Sequence, residues 1–103
     1  IMIIYNVTVT VEESIKSEWL LWMQEEHIPE IMSLGLFVNA QLKRVIKSND
    51  LEDTFAVAYT CLDMKDLHKY QVKFAAELQN KHIEKFGDKA VAFRTLMEII
   101  REF

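Results

Sequence analysis

The residues best suited to chemistry lie in one stretch, residues 19–30, which holds both tryptophans, a histidine and the only proline of the chain. At helical spacing Trp19, Met23 and His27 share one face, because residues three and four positions apart are neighbours on an α-helix. Trp22 falls on the same stripe. An imidazole that continues an apolar stripe is a candidate hydrogen-bonding anchor, acid or base in an otherwise apolar pocket.

Other kinds of site find less support in the sequence. His27, His68 and His82 are far apart, and the chain contains no His-x-x-x-His or Cys-x-x-Cys spacing, so no metal site is predicted. Cys61 has no base close to it in sequence, and no serine stands in a Gly-x-Ser-x-Gly turn, which disfavours nucleophilic catalysis. Two isolated glycines cannot form a phosphate-binding loop. The residues therefore predict no cofactor.

Length and charge exclude further classes of protein. The 103 residues suffice for one domain, residues 1–103, with a small hydrophobic core. A net charge of −4 without a basic cluster disfavours nucleic acid as a partner. The single cysteine forms no intramolecular disulfide, which fits a reducing cytoplasm, and no apolar run reaches the length of a membrane span. We therefore expect a cytoplasmic protein without membrane contact.

Hydrophobic periodicity predicts four strands and two long helices. The strands are expected at residues 3–11, 36–47, 54–61 and 89–101, and the helices at residues 12–35 and 63–86. A capping box from Thr10 to Glu13 is expected to start the first helix, and Pro29 to kink or interrupt it. Gly35 and Gly87 are expected to supply the left-handed turns that end the two helices.

The element order β-α-β-β-α-β predicts an α+β, ferredoxin-like fold, in which a four-stranded antiparallel sheet carries two helices on one face. Polar residues 48–53 are expected to form the hairpin loop between the second and third strands, and Asp63 with Asp66 to start the second helix. The opposite sheet face is expected to carry Asn6, Arg94 and several apolar residues: Ile4, Ala56, Ala58, Ala90, Ala92 and Leu96. Because a symmetric copy is the commonest cover for such a face, we expect a homodimer packed sheet to sheet.

Three segments of the chain resemble a family of short bacterial proteins known as a domain of unknown function, the 4286 family. They are Met-Ile-Ile-Tyr-Asn-Val-Thr-Val at residues 2–9, Trp-x-x-x-Met-x-x-x-His-Ile-Pro at residues 19–29, and Phe-Gly-Asp-Lys-x-Val-Ala-Phe-Arg-Thr at residues 86–95. The family belongs to the dimeric α/β-barrel superfamily, so the resemblance implies a ferredoxin-like fold and a dimer. Superfamily relatives include cofactor-independent monooxygenases, haem-degrading enzymes, isomerases and ligand-sensing domains, so the reaction class stays open.

The resemblance also implies one candidate catalytic set. Related haem-degrading and monooxygenase enzymes use an asparagine on the first strand with a histidine and a tryptophan, and this chain has Asn6 on that strand. In those enzymes the histidine belongs to the second helix, where this chain offers His68 and His82, whereas His27 lies on the first helix. Asn6 and His27 are therefore candidate catalytic residues, and haem is the cofactor of this alternative.

A predicted pocket between the sheet and the helices is lined by Tyr5, Trp19, Trp22, Met23, His27, Tyr59 and Arg94. Each of these residues also has a structural alternative. For the two tryptophans, ordinary core packing is the commoner role. His27 can instead satisfy carbonyls at a helix end, where the helix dipole favours its charged form. Arg94 can bind a carboxylate, or it can form an ion pair with Glu98 or across a dimer.

Three functions remain open from the sequence. The leading one is a homodimer that binds a small, largely apolar or aromatic metabolite between sheet and helices, with His27 as the polar anchor. The second is a cofactor-independent monooxygenase or a haem-binding enzyme that uses Asn6, a histidine and a tryptophan. The third is a structural or regulatory interaction protein with a filled core and no ligand.

Overall fold

A computed structural model describes residues 2–46 and 52–103. Its strands are β1 (Ile3–Glu12), β2 (Asn39–Arg44), β3 (Glu52–Cys61) and β4 (Ala90–Glu98). Its α-helices are α1 (Lys16–Trp22), α2 (Ile28–Ser33), α3 (Met64–Lys73) and α4 (Ala75–Phe86). Short 3-10 turns at Glu13–Ile15 and Gly87–Lys89 precede α1 and β4, and a π-helical turn at Met23–His27 joins α1 to α2.

The four strands form one antiparallel sheet in the order β2-β3-β1-β4. Strand β1 is central and pairs on both sides, so that Val7 stands opposite Val57 of β3 and Arg94 of β4. Its alternating β-branched side chains suit a pleated strand in this position. The first and last strands are neighbours, as the βαββαβ order predicts. The ferredoxin-like α+β fold is therefore confirmed, with an open sheet whose edges are β2 and β4.

The first helical segment, residues 13–33, changes its hydrogen-bond pattern along its length. After α1, the chain makes the π-turn at Met23–His27, and α2 then starts with Pro29 in its first turn. A proline in a first turn needs no amide partner, and π-turns are a common way to absorb an irregularity within a helix. The helix is therefore not ended at Pro29, as one form of the prediction had it. It continues, with a change from π-helical to α-helical hydrogen bonding just before the proline. Gly35, at a φ of +74°, ends the segment as predicted.

The two helical segments begin differently. The capping box predicted from Thr10 to Glu13 is wrong, because β1 continues through Glu12 and, within the described chain, no side chain caps the turn that follows. The second segment begins as predicted: the carboxylate of Asp63 accepts a hydrogen bond of 2.9 Å from the amide of Asp66. This contact satisfies one of the free amides of the first helical turn.

The second helical segment consists of two helices, whereas the sequence predicted one. The break lies at Phe74, whose φ of −128° and ψ of −31° depart from helical geometry. The amide of Phe74 still bonds to the carbonyl of Tyr70 at 2.9 Å, so α4 follows α3 directly. Neither proline nor glycine stands near this break, which explains why the sequence pattern did not reveal it. Gly87, at a φ of +58°, ends α4 as predicted.

Strand β4 presents the opposite faces from those predicted. In the observed register Tyr5 pairs with Leu96 and Val9 with Ala92, and directly paired residues point to the same side of a sheet. The even-numbered residues of β4 therefore face the helices: Ala90, Ala92, Arg94 and Leu96. Val91 and Phe93, each 61% exposed, lie on the outer face instead. Assigning Ala90, Ala92, Arg94 and Leu96 to the outer face was wrong, because both rows of β4 are apolar enough to be mistaken for the buried one.

The connection between β2 and β3 lies mostly outside the described residues. Of the predicted loop at residues 48–53, only Glu52 and Asp53 are described, and both belong to β3. Asp53 forms an ion pair of 3.0 Å with Lys16, which ties the start of β3 to α1. Strand β2 begins at Asn39, three residues later than predicted.

The core lies between the inner face of the sheet and the helices. Its fully buried large side chains come from both layers, among them Trp19, Val57, Tyr59, Leu67 and Tyr70. Tyr5, Phe37, Tyr59 and Tyr70 form an aromatic group, with ring centroids between 5.1 and 6.1 Å apart. Across residues 2–46 and 52–103, no helix combines the length and the hydropathy needed to cross a bilayer.

Candidate functional site

A small cavity lies beside the aromatic group, between the inner face of β1 and β4 and the helices. Its enclosed volume is about 20 Å³, which is enough for about one water molecule. Around its apolar wall it gathers seven polar or titratable side chains: Tyr5, His27, Tyr59, Tyr70, Gln79, His82 and Arg94. Arg94 is exposed, so it marks a side on which the cavity meets solvent.

His27 ends the π-turn and is buried, with 8% of its surface exposed. Its ring stacks on Trp22 at a centroid distance of 4.5 Å. Its Nδ1 is buried and has no hydrogen-bond partner among the described residues. Burial first, and then the neighbouring His82, lower the pKa of His27 to about 4. The expectation of a charged His27 at a helix end is therefore wrong, because the helix continues into α2 and the side chain points into the protein.

His82 on α4 lies close to His27, with ring centroids 6.1 Å apart. The indole Nε1 of Trp19 donates a hydrogen bond of 2.9 Å to its Nε2. Burial and the nearby charge of Arg94 lower the pKa of His82 to about 4, so the ring is neutral at pH 7. Because Nε2 accepts this hydrogen bond, the ring hydrogen of the neutral imidazole lies on Nδ1.

The pairing of His82 with the first-helix residues was missed from the sequence. There, His82 entered only as an alternative histidine for a haem enzyme. The available signal was its helical spacing from Leu78 and Phe86, both buried in the structure, which places His82 on the inner face of α4.

Arg94 projects from β4 toward the helices, and its Nε donates a hydrogen bond of 3.2 Å to the hydroxyl of Tyr5. The ion pair expected with Glu98 is not found within the described residues. None of the residues that line the cavity is acidic. Burial raises the pKa of both Tyr59 and Tyr70 well above the ordinary value, so these phenols are neutral. The guanidinium is thus the one formal charge among the cavity-lining residues at neutral pH.

The structure brings together five of the seven residues predicted to line the pocket: Tyr5, Met23, His27, Tyr59 and Arg94. Trp19 is excluded because it is completely buried in the core, where it contacts Phe55 and bonds to His82. Trp22 lies behind His27 and does not line the cavity. It instead borders a wider groove of about 580 Å³ between the π-turn and α4, whose remaining residues are mostly charged.

The candidate catalytic set that the resemblance implied is not assembled. Asn6 pairs with Ala58 and Thr95 and points to the outer face of the sheet, where its side chain donates a hydrogen bond of 3.1 Å to Thr8. The sheet therefore separates Asn6 from both buried histidines. His68 on α3 is exposed and does not line the cavity.

Neither a metal ion nor haem fits the residues that surround the cavity. Within residues 2–46 and 52–103, no three histidine, cysteine, aspartate or glutamate side chains come close enough to hold a metal. Haem is far larger than a cavity that holds about one water molecule. The Nε2 of His82, the usual axial donor, is already bonded to Trp19.

The fold and the cavity between its two layers define a ferredoxin-like protein, and solved structures share this fold. An EthD family protein from Bacillus halodurans C-125 aligns with a TM-score of 0.71 and 12% identity, over 95% of this chain and 99% of that chain. A dimeric ferredoxin-like protein from an uncultured marine organism aligns with a TM-score of 0.68 and 12% identity, over 99% and 98%. A candidate antibiotic biosynthesis monooxygenase from Bacillus cereus aligns with a TM-score of 0.62 and 12% identity, over 99% and 98%.

The chain belongs to the family described as Domain of unknown function (DUF4286), whose family model matches residues 2–100. The resemblance noted in three sequence segments is thereby confirmed over almost the whole chain. The chain matches none of the curated proteins with which it was compared. At 12% identity the solved structures establish the fold alone.

Proposed function

We propose that this protein is a homodimer that binds a small, largely apolar or aromatic metabolite in the cavity between its sheet and its helices. The observation that carries the proposal is His27, which lines this cavity and whose buried Nδ1 has no hydrogen-bond partner in the described chain. An unsatisfied buried polar group costs about 1–3 kcal/mol. A ligand that bonds to this nitrogen recovers that free energy.

The proposed ligand enters from the side of Arg94. The cavity is about 20 Å³, well below the roughly 300 Å³ at which small-molecule sites begin, so the proposed ligand must widen it. Gln79 is only half-buried, so rotation of its side chain enlarges the mouth without disturbing the core, while Arg94 stays bonded to Tyr5.

The outer sheet face supports the dimer. Val91, Phe93 and Met97 on β4 are exposed there, beside Ile4 of β1 and the small side chain of Ala56 on β3. An apolar face of this kind is characteristic of an interface between copies. The similar structure of a dimeric ferredoxin-like protein gives further support. In this arrangement the cavity lies on the side of the sheet away from the partner.

Native mass spectrometry of protein purified gently from its own host tests both parts of the proposal. We expect a dimer with an added mass that is lost in the variant His27→Phe, which keeps a ring to stack on Trp22 but has no nitrogen. The control is His68→Ala, because His68 is exposed on α3 and lies outside the cavity. An added mass that persists in His27→Phe contradicts His27 as the anchor, a bare dimer contradicts ligand binding, and a monomer contradicts the assembly.

The two other functions derived from the sequence make different predictions. If the protein is an interaction protein with a filled core, His27→Phe should change its stability, and neither the wild type nor the variant should carry a bound ligand. A monooxygenase of the type implied by the resemblance requires Asn6 beside a histidine, yet Asn6 lies on the outer face of the sheet. No observation on the cavity side favours that second function.

A further inference from the structure

We infer that the ligand carries a carboxylate, which binds the guanidinium of Arg94 at the mouth of the cavity while its apolar body points toward His27 and His82. This inference rests on the proposed function, because it names the chemical class of the ligand that occupies the same cavity. It assigns to Arg94 the role of counterion and to the two histidines the role of neutral hydrogen-bonding groups.

The geometry of Arg94 leaves its terminal nitrogens available. Its Nε is already bonded to the hydroxyl of Tyr5 at 3.2 Å, which fixes the side chain close to the cavity. The two terminal nitrogens form no hydrogen bond within the described residues. A planar guanidinium with free terminal nitrogens matches a carboxylate, which can accept two parallel hydrogen bonds.

The charge balance of the cavity also favours an anion. The lining residues include no carboxylate, and Glu30, whose charge acts on His27, is bonded to Lys81 at 2.8 Å. His27 and His82 are neutral at pH 7. The charge of Arg94 therefore has no counterion in the described part of the chain, and a bound monoanion would neutralise it.

The other residues of the cavity wall determine which chemical groups the ligand can carry besides its carboxylate. Val7, Val9, Ile31 and Ala92 contribute apolar surface, together with the ring faces of the tyrosines. Among the described residues of this wall, the Nε2 of His82 is bonded to Trp19 and the Nδ1 of His27 is buried without a partner, while Arg94 is the one cation. A monocarboxylate with a short aliphatic or aromatic body matches this arrangement better than a sugar or a polyanion, which would need more partners.

Isothermal titration calorimetry with matched probes tests the inference. Benzoate and hexanoate are compared with benzamide and hexanamide, which have nearly the same shape but no charge. We expect the wild-type protein to bind each carboxylate about tenfold or more tightly than its amide, as charge-assisted hydrogen bonds require. Arg94→Gln should remove this preference and leave the amide affinities unchanged. Arg101→Gln, on an exposed residue of the C-terminal segment, is the charge-matched control and should keep it.

The pH dependence supplies a readout that a purely structural Arg94 would not change. Arg94 faces both His27 and His82, and its charge helps to lower their pKa values, while Lys81 acts in the same direction on His27 and Glu30 opposes it. A bound carboxylate would offset the positive field and raise both pKa values. Because both pKa values are about 4 in the free protein, binding of the ionised carboxylate should strengthen only as the pH falls toward that value, and Arg94→Gln should lack this dependence.

Three outcomes overturn the inference. They are equal affinity for carboxylates and amides, a preference that survives in Arg94→Gln, and the absence of binding by all four probes at millimolar concentrations. The proposed function fails by a different result, namely protein from its own host that carries no ligand. A retained ligand that proves to be neutral would leave the cavity function standing and remove Arg94 as its counterion.

Discussion

The two histidines of the cavity differ in what they are free to do. His82 has its Nε2 occupied by the indole of Trp19 at 2.9 Å, so its orientation and its tautomer are fixed by the core. His27 is held by stacking on Trp22 at 4.5 Å, and its buried Nδ1 has no hydrogen-bond partner among the described residues. The free nitrogen therefore belongs to His27, and His82 acts as the rigid wall beside it.

The low pKa values of these histidines predict a loss of stability in mild acid. The ordinary pKa is 6.5, and both side chains have a pKa of about 4 in the folded protein. Between these values the unfolded chain binds more protons than the folded one, so stability is full above pH 6.5 and decreases as the pH falls toward 4. Each histidine should lower the free energy of unfolding by about 1.4 kcal/mol per pH unit in this window.

Urea denaturation at a series of pH values measures this dependence at fixed protein concentration, because the stability of a dimer depends on concentration. In His27→Phe the slope between pH 6.5 and pH 4 should fall by about half of the histidine contribution. His68→Ala, which removes an exposed imidazole, should keep the wild-type slope. A slope that is identical in all three proteins would show that the buried histidines do not control acid stability.

Within the part of the chain that the structure describes, α3 is the one helix with a side-chain cap. Asp63 accepts the amide of Asp66 at 2.9 Å, and loss of such a cap typically costs about 1 kcal/mol. Asp63→Ala should lower the free energy of unfolding by about that amount in urea denaturation. Asp63→Asn is the matched control, because asparagine caps a helix as well as aspartate does. An equal loss in both variants would assign the effect to charge and not to the cap.

The sequence predicted whether each element is a helix or a strand more reliably than it predicted where the element ends or which of its faces is buried. Glycine signals worked at Gly35 and Gly87, because a left-handed residue after a helix is a local requirement. The break at Phe74 was missed because nothing in the local sequence forces it. The face of β4 was reversed because a shift of one residue exchanges the two sides of a strand, and the larger apolar side chains, Val91 and Phe93, lie on the outer face while Ala90 and Ala92 face the helices.

The same limit applied to the site. Tyr5, Met23, His27 and Tyr59 could be predicted, because strand alternation and helical spacing place them on inner faces. Trp19 could not be excluded, since whether a tryptophan lines a cavity or fills the core depends on packing across the whole molecule. Arg94 was assigned to the wrong face of the sheet, because its position follows from the pairing of β4 with β1 and this register is a long-range property.

The corrected face of β4 locates the proposed dimer interface more closely than the sequence did. Phe93 is 61% exposed and lies on the outer face, opposite Thr8 of the central strand. A glutamate there would place a charge in an apolar contact, which costs free energy unless a partner pairs with it. Phe93→Glu should therefore convert the dimer to a monomer in size-exclusion chromatography with light scattering.

A change of the same kind on the helical side provides the control for this test. Val72 on α3 is 68% exposed, and because it lies on the side of the sheet that carries the helices, Val72→Glu should leave the dimer intact. Circular dichroism of both variants should match the wild type, since neither side chain belongs to the core. If Phe93→Glu folds and still elutes as a dimer, the two copies do not associate through the sheet, and the cavity side would then have to be considered as the interface. Monomers from both variants would instead indicate that any added acidic residue weakens the assembly, because a net charge of −4 already opposes association.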